Sequence, residues 1–128
     1  MVKGCIFCTI AGDDPKGQSL DYYTAEDLLG TTGVTVIEPL NPCVKGHLLF
    51  IPTFHLERMG SKDTQNIVAS TMKAVNLYLQ DHPDLHCNVI TNNGTNADQT
   101  VHHLHVHIIP RSAPNDDVQL PWSYQQKH

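Results

Sequence analysis

Between positions 103 and 109 the chain reads His103-Leu104-His105-Val106-His107-Ile108-Ile109, with polar and apolar side chains alternating up to the final residue. A period of two belongs to a β-strand, in which residues i, i+2 and i+4 line one face. His103, His105 and His107 are then expected on one side of a strand, roughly 6–7 Å apart along the chain. Leu104, Val106 and Ile108 face the other way and can anchor the strand on a core. Read as a helix, the same residues would scatter the imidazoles around the axis, and the β-branched members favour the strand. The expected fold is therefore built on a sheet with one apolar face and one face able to carry chemistry. Three imidazoles in that arrangement can bind a metal, or supply a nucleophile with neighbours that set its tautomer, or form a histidine-rich solvated face.

The rest of the chain supplies partners for that strand. Val34-Thr35-Val36-Ile37 reads as a strand, and Pro39-Leu40-Asn41-Pro42 as a loop. Gly46 to Ile51 is a second strand stopped by Pro52, Cys87 to Thr91 a third, and Val101 to Ile109 a fourth closed by Pro110. The one long helix is expected over Ser61 to Gln80. Ser61, Asp63 or Thr64 could cap it, and Ile67, Val68, Thr71, Met72, Val75 and Leu79 recur at helical spacing. Strands on both sides of a single helix predict an α+β fold with a mainly antiparallel sheet. No internal repeat or second domain is evident in the 128 residues, so 1–128 is read as one domain with a polar tail over 112–128.

Composition narrows the function. With 8 basic and 13 acidic residues and a net charge of −5, a large phosphate-backbone footprint is not expected, so long nucleic acid is set aside as a partner. No apolar run approaches the roughly 18 residues of a membrane span. The start Met1-Val2-Lys3-Gly4-Cys5 lacks the apolar centre of a secretion signal, and a cytoplasmic location is expected. Of the four cysteines, Cys5 and Cys8 form a Cys-x-x-Cys pair, which without a signal reads as metal-binding or redox-active.

The histidine segment resembles the signature of the histidine triad (HIT) superfamily, His-φ-His-φ-His-φ-φ with φ apolar. Gln99-Thr100-Val101 before it, Pro110-Arg111 after it, Gly46-His47-Leu48-Leu49-Phe50-Ile51-Pro52 followed by His55, and Cys5-Ile6-Phe7-Cys8 extend the resemblance over roughly residues 5–111. The resemblance implies a HIT-like fold with a short N-terminal segment. It also implies an enzyme, either a nucleoside phosphoramidase or a dinucleoside polyphosphate hydrolase. Such a hydrolase or transferase attacks the α-phosphorus of a purine nucleotide conjugate through a covalent nucleotidyl-histidine. By position His105 is the nucleophile, with His103, His107 and His47 beside it. Asn92, Gln99 and Thr100 are implied near phosphate or ribose, and Phe7, Ile37 and Leu40, with Ile6 and Ile10, near the base. In members with Cys-x-x-Cys, Cys5, Cys8, His55 and His103 would hold a structural zinc. The resemblance also implies a homodimer. Two positions depart from the family pattern. Asp98 stands where a glycine usually precedes the glutamine, and Pro39 stands where many members carry the ribose-binding aspartate, with Glu38 one residue earlier. A nucleotide-binding or scaffold protein with little turnover is the alternative that Asp98 favours. A hydrolase with zinc on the triad itself is a third reading.

Overall fold

The computed structural model describes residues 4–10 and 33–120, together with the backbone of residues 21–23. Residues 121–128 of the tail lie outside the described residues. Along the chain run α1 (Ile6–Cys8), β1 (Asp21–Tyr23), β2 (Val34–Ile37), β3 (Leu48–Pro52), α2 (Gln65–Gln80), β4 (Cys87–Ile90), a short 3₁₀ turn (Thr95–Ala97) and β5 (Val106–Pro110). The five strands form one sheet in the order β1-β2-β3-β5-β4. Every neighbouring pair is antiparallel. The expected α+β architecture holds, with β1 added at an edge where the sequence suggested no strand.

The pleat sorts side chains into two layers. Val34, Val36, Leu48, Phe50, Val106 and Ile108 point to one face and pack with Ala74 and Val75 of α2. Ile37, Leu49 and Ile51 point to the other face, where Phe7 and Ile10 cover them. His107 sits directly opposite Leu49 in the ladder, so it shares this second face. The β-branched and aromatic content of β2, β3 and β5 fits a surface buried on both sides.

Three expectations need correction. The histidine strand is shorter than Val101–Ile109: β5 starts at Val106, so His103 and His105 lie in the segment leading into it. The ladder with β3 ends at the pair Phe50↔Val106. Beyond it Pro52 has no N–H to give, and its carbonyl accepts from the His103 ring instead, at 2.8 Å. The helix begins at Gln65 rather than Ser61. Asp63 has φ 62°, in the left-handed region, which a right-handed helix does not accommodate. Thr64 is the cap residue, but its hydroxyl donates to the Ser61 carbonyl at 2.7 Å rather than to the helix. Finally, the buried face of α2 is Ser70, Thr71, Ala74 and Val75, while Met72 is exposed. Small side chains at 70 and 74 let the helix axis approach the sheet. The Thr71 hydroxyl is satisfied inside the helix by the Ile67 carbonyl at 2.8 Å.

Candidate functional site

The site grows from the second face of the sheet. The turn before β3 delivers His47. Gly46 there has φ 91°, and a Cβ at that position would lie 3.2 Å from Pro110 Cγ, so both backbone and space call for glycine. His47, His103, His105 and His107 are all buried. The His105 and His107 ring centroids are 5.2 Å apart, and those of His47 and His107 also 5.2 Å. The sequence pattern therefore brings its four histidines together as expected.

Their partners fix which nitrogen carries each proton. A backbone amide only donates, so the Cys43 N–H at 3.0 Å makes His47 Nδ1 an acceptor. Neutral His47 then holds its proton on Nε2 and donates to His107 Nδ1 at 2.9 Å. His107 in turn holds its own proton on Nε2. A carbonyl only accepts, so His105 Nδ1–H donates to the His103 oxygen at 2.8 Å, which leaves the lone pair on His105 Nε2. The Thr91 hydroxyl donates to the His105 carbonyl at 2.8 Å and steadies the backbone there.

Burial keeps the cluster neutral. It lowers the His47 pKa, and it lowers that of His105 against the opposing effect of the His103 carbonyl. Burial, then the neighbouring His105 and His47, push His107 down to about 3. His103 falls to about 4, first through burial and then through His55 and His105, although the bond to Pro52 opposes the shift. A neutral imidazole with a lone pair in a water-poor site is the form a nucleophile needs.

His103 turns its other edge toward a second cluster. Its Nε2–H is used on Pro52, so Nδ1 presents a lone pair. That atom lies 3.5 Å from Cys5 Sγ, 3.4 Å from Cys8 Sγ and 3.2 Å from His55 Nδ1. Cys8 Sγ is 3.1 Å from His55 Nδ1. All four donor atoms lie within 4.8 Å of one another and could hold a metal ion. A tetrahedron with zinc–ligand bonds of about 2.0–2.3 Å has edges of roughly 3.3–3.8 Å, close to these separations. Two thiols and two imidazoles are also the right donor chemistry for a closed tetrahedral site. The triad itself makes no such site. Each of its rings directs Nδ1 to a different partner, and the one metal-ligand group among the described residues is the Cys5–Cys8–His55–His103 cluster.

The other expected residues divide. Phe7 stands edge-on to His105, with ring centroids 5.0 Å apart and an interplanar angle of 81°. Ile37 joins the same apolar cluster as Phe7. Leu40 does not: it is 99% exposed, because the two prolines of its loop carry it off the sheet. Gln99 is buried, but its Nε2 hydrogens go to the Glu57 and Val101 carbonyls at 2.6 and 3.0 Å. Its Oε1 accepts the Gly94 N–H at 2.7 Å. The side chain as placed ties three loop segments together and has no amide hydrogen left for phosphate. Thr100 is exposed and lines an open cavity of about 400 Å³ together with Cys5, His55, Glu57 and His102. Asn92 is half-buried, two residues past the end of β4. Asp98, at the family's glycine position, adopts φ 65°, the left-handed geometry that favours glycine. Sequence reasoning missed the Cys43 N–H and the Pro52 carbonyl, since a backbone group leaves no residue-type signal.

Comparison with known proteins agrees with this geometry. A family model described as the HIT domain matches residues 25–113. Protein hit of Bacillus subtilis is 32% identical over 127 residues, covering 94% of this chain and 79% of that protein. The adenosine 5'-monophosphoramidase hnt1 of Schizosaccharomyces pombe is 34% identical over 122 residues, covering 91% and 79%. Among solved structures, a zinc-bound histidine triad family protein from Mycobacterium smegmatis aligns with a TM-score of 0.67 at 25% identity, covering 91% of this chain and 81% of that one. With its buried histidine cluster, its Cys/His site and these matches, the chain belongs to the HIT domain family.

Proposed function

We propose that this chain is a nucleotide hydrolase or transferase in which His105 attacks the α-phosphorus of a purine nucleotide conjugate. The observation that carries the reading is the set of three hydrogen bonds that orient the site. The His103 carbonyl holds the His105 proton on Nδ1, and the Cys43–His47–His107 series sets the His107 proton on Nε2. In the first step the His105 Nε2 lone pair forms a bond to phosphorus. The bond to the leaving group breaks, and that group departs with the electron pair and takes a proton from solvent. His107 Nε2–H would donate to a phosphate oxygen as charge builds, a contribution worth several kcal/mol when the donor is preorganised. Water then attacks phosphorus and gives up a proton to solvent, the P–Nε2 bond breaks, and its electron pair returns to His105 as the nucleotide leaves.

The named activity of the Schizosaccharomyces pombe relative supports an adenosine phosphoramidate as the first substrate to try. Phe7 and Ile37 would face the base, and Thr100 and Asn92 the phosphate and leaving-group side. Zinc is the proposed ion for Cys5, Cys8, His55 and His103, supported by the donor geometry and by the zinc-bound relative. With all four positions filled it would supply structural cross-linking. A homodimer through β4 belongs to the same reading, because among the described residues β4 is an edge strand and exposes Val89. A monomeric mass in sedimentation equilibrium would exclude it.

The deciding experiment is trapping AMP on the protein, with mass spectrometry to locate it, alongside His105→Asn. The expected result is a label on His105 and at least a thousandfold loss of turnover in a folded variant. Nucleotide binding with no label and no turnover would point to the binding-protein alternative. Full turnover in His105→Asn would remove the covalent mechanism.

A further inference from the structure

We propose that the Cys5–Cys8–His55–His103 cluster aims the His105 imidazole, so that an ion held there fixes the ring and its loss lets the ring turn. The proposal rests on the reading of His105 as the nucleophile, but the coupling stands on contacts of its own.

Two arms join the cluster to the ring. The first is the peptide unit between His103 and Leu104. Its carbonyl accepts the His105 Nδ1–H, and its N–H donates to the Leu56 carbonyl at 2.6 Å. His103 contributes its ring to the cluster, and Leu56 follows His55, which contributes another. Both ends of that peptide plane are thus held by residues that are ligands or adjoin one. A rotation of the plane would carry the His105 acceptor away.

The second arm is Phe7. It lies between Cys5 and Cys8, and its ring meets His105 edge-on at 5.0 Å and His103 at 6.1 Å. The helix carrying it, α1, spans only Ile6–Cys8 and is too short to hold itself by backbone bonds. Among the described residues its anchors include the two thiols and the packing of Phe7 and Ile10 on Ile37, Leu49 and Ile51. Tying both thiols to an ion fixes the Phe7 ring, and that ring obstructs rotation of the imidazole it faces. The cluster is also reachable from solution, because Cys5 and His55 line the open cavity of about 400 Å³.

The test reads the imidazole nitrogens directly, by long-range ¹H–¹⁵N correlation on the full chain. The protein is loaded with zinc, then treated with a chelator, then given zinc again. With zinc bound, His105 should show a protonated Nδ1 and an unprotonated Nε2. On removal the two nitrogens should move toward averaged shifts, and zinc should restore them. His47 and His107 take their tautomers from Cys43 and should hold steady throughout. Phe7→Ala with zinc bound should give the same averaging at His105, whereas Phe7→Tyr should keep the loaded signature. Turnover should follow, with kcat in Phe7→Ala down at least tenfold and kept near the wild-type value in Phe7→Tyr. His105 nitrogens unmoved by both zinc removal and Phe7→Ala would overturn the proposal. If removal of zinc collapses the β3 and β5 amide signals, zinc-bound Phe7→Ala decides alone, and unmoved nitrogens there overturn it. A His105→Asn variant that still turned over would sink the nucleophile reading while leaving these shifts, and so the coupling, intact.

Discussion

The neutral pair His47–His107 makes stability depend on pH in a calculable way. His107 falls to about 3 in the folded chain against an ordinary value of 6.5. Between those two values the unfolded chain binds the proton and the folded chain does not. Stability therefore rises with pH across that window, is fully present above it, and is lost as pH falls. For one group with these values, lowering the pH from 7.5 to 5 removes on the order of 2 kcal/mol. His47 and His105 lie against the same ring and share the effect, so the figure belongs to the group of three. The assay is urea unfolding of the wild type and His107→Gln at both pH values, in one zinc-containing buffer so that ligand titration cancels. Glutamine can still accept the His47 Nε2–H but cannot take up a proton. The pH-dependent loss should be smaller in His107→Gln, by at most about 2 kcal/mol because His47 and His105 keep their share. Equal losses in the two proteins would refute the claim that His107 is held neutral by its surroundings.

Three further outcomes follow from the packing. Phe50→Ala should destabilise by about 3–5 kcal/mol in the same unfolding assay, because the ring is fully buried between the sheet and α2. Gln99→Leu should cost on the order of 2–3 kcal/mol, since it strands the Gly94 N–H and leaves the Glu57 and Val101 carbonyls without their donor. A smaller loss, with unchanged amide exchange at Gly94, would show that Gln99 is not the tie described. Elemental analysis should find about one metal ion per chain in the wild type and a marked loss in Cys8→Ser; a metal-free wild type purified without chelator would count against the site.

Much of the site was legible before any coordinates. Alternation over residues 103–109 placed the histidines on the face opposite Val106 and Ile108, and the pairing of His107 with Leu49 agrees. The Cys-x-x-Cys spacing with His55 and His103 identified all four members of the metal-ligand cluster through the family resemblance. Two expected site residues stand apart from the cluster, each for a specific cause. The family resemblance implies Leu40 near the base, but its exposure depends on how a two-proline loop leaves the sheet. Gln99 was placed by its amide chemistry, and the amide was already engaged by backbone groups.

The sequence by itself determined the alternating strand, the order of chemical groups and the pairing of an apolar face with a histidine face. These are local properties, set by the two-residue period of the backbone and by side-chain type. Only the tertiary structure decided which nitrogen of each ring carries the proton. That choice depends on the Cys43 amide meeting His47, on His47 reaching His107 sixty positions later, and on the Pro52 carbonyl meeting His103. A backbone donor or acceptor is the same in every residue, so its position in space, and with it the protonation pattern of the site, is fixed by the fold alone.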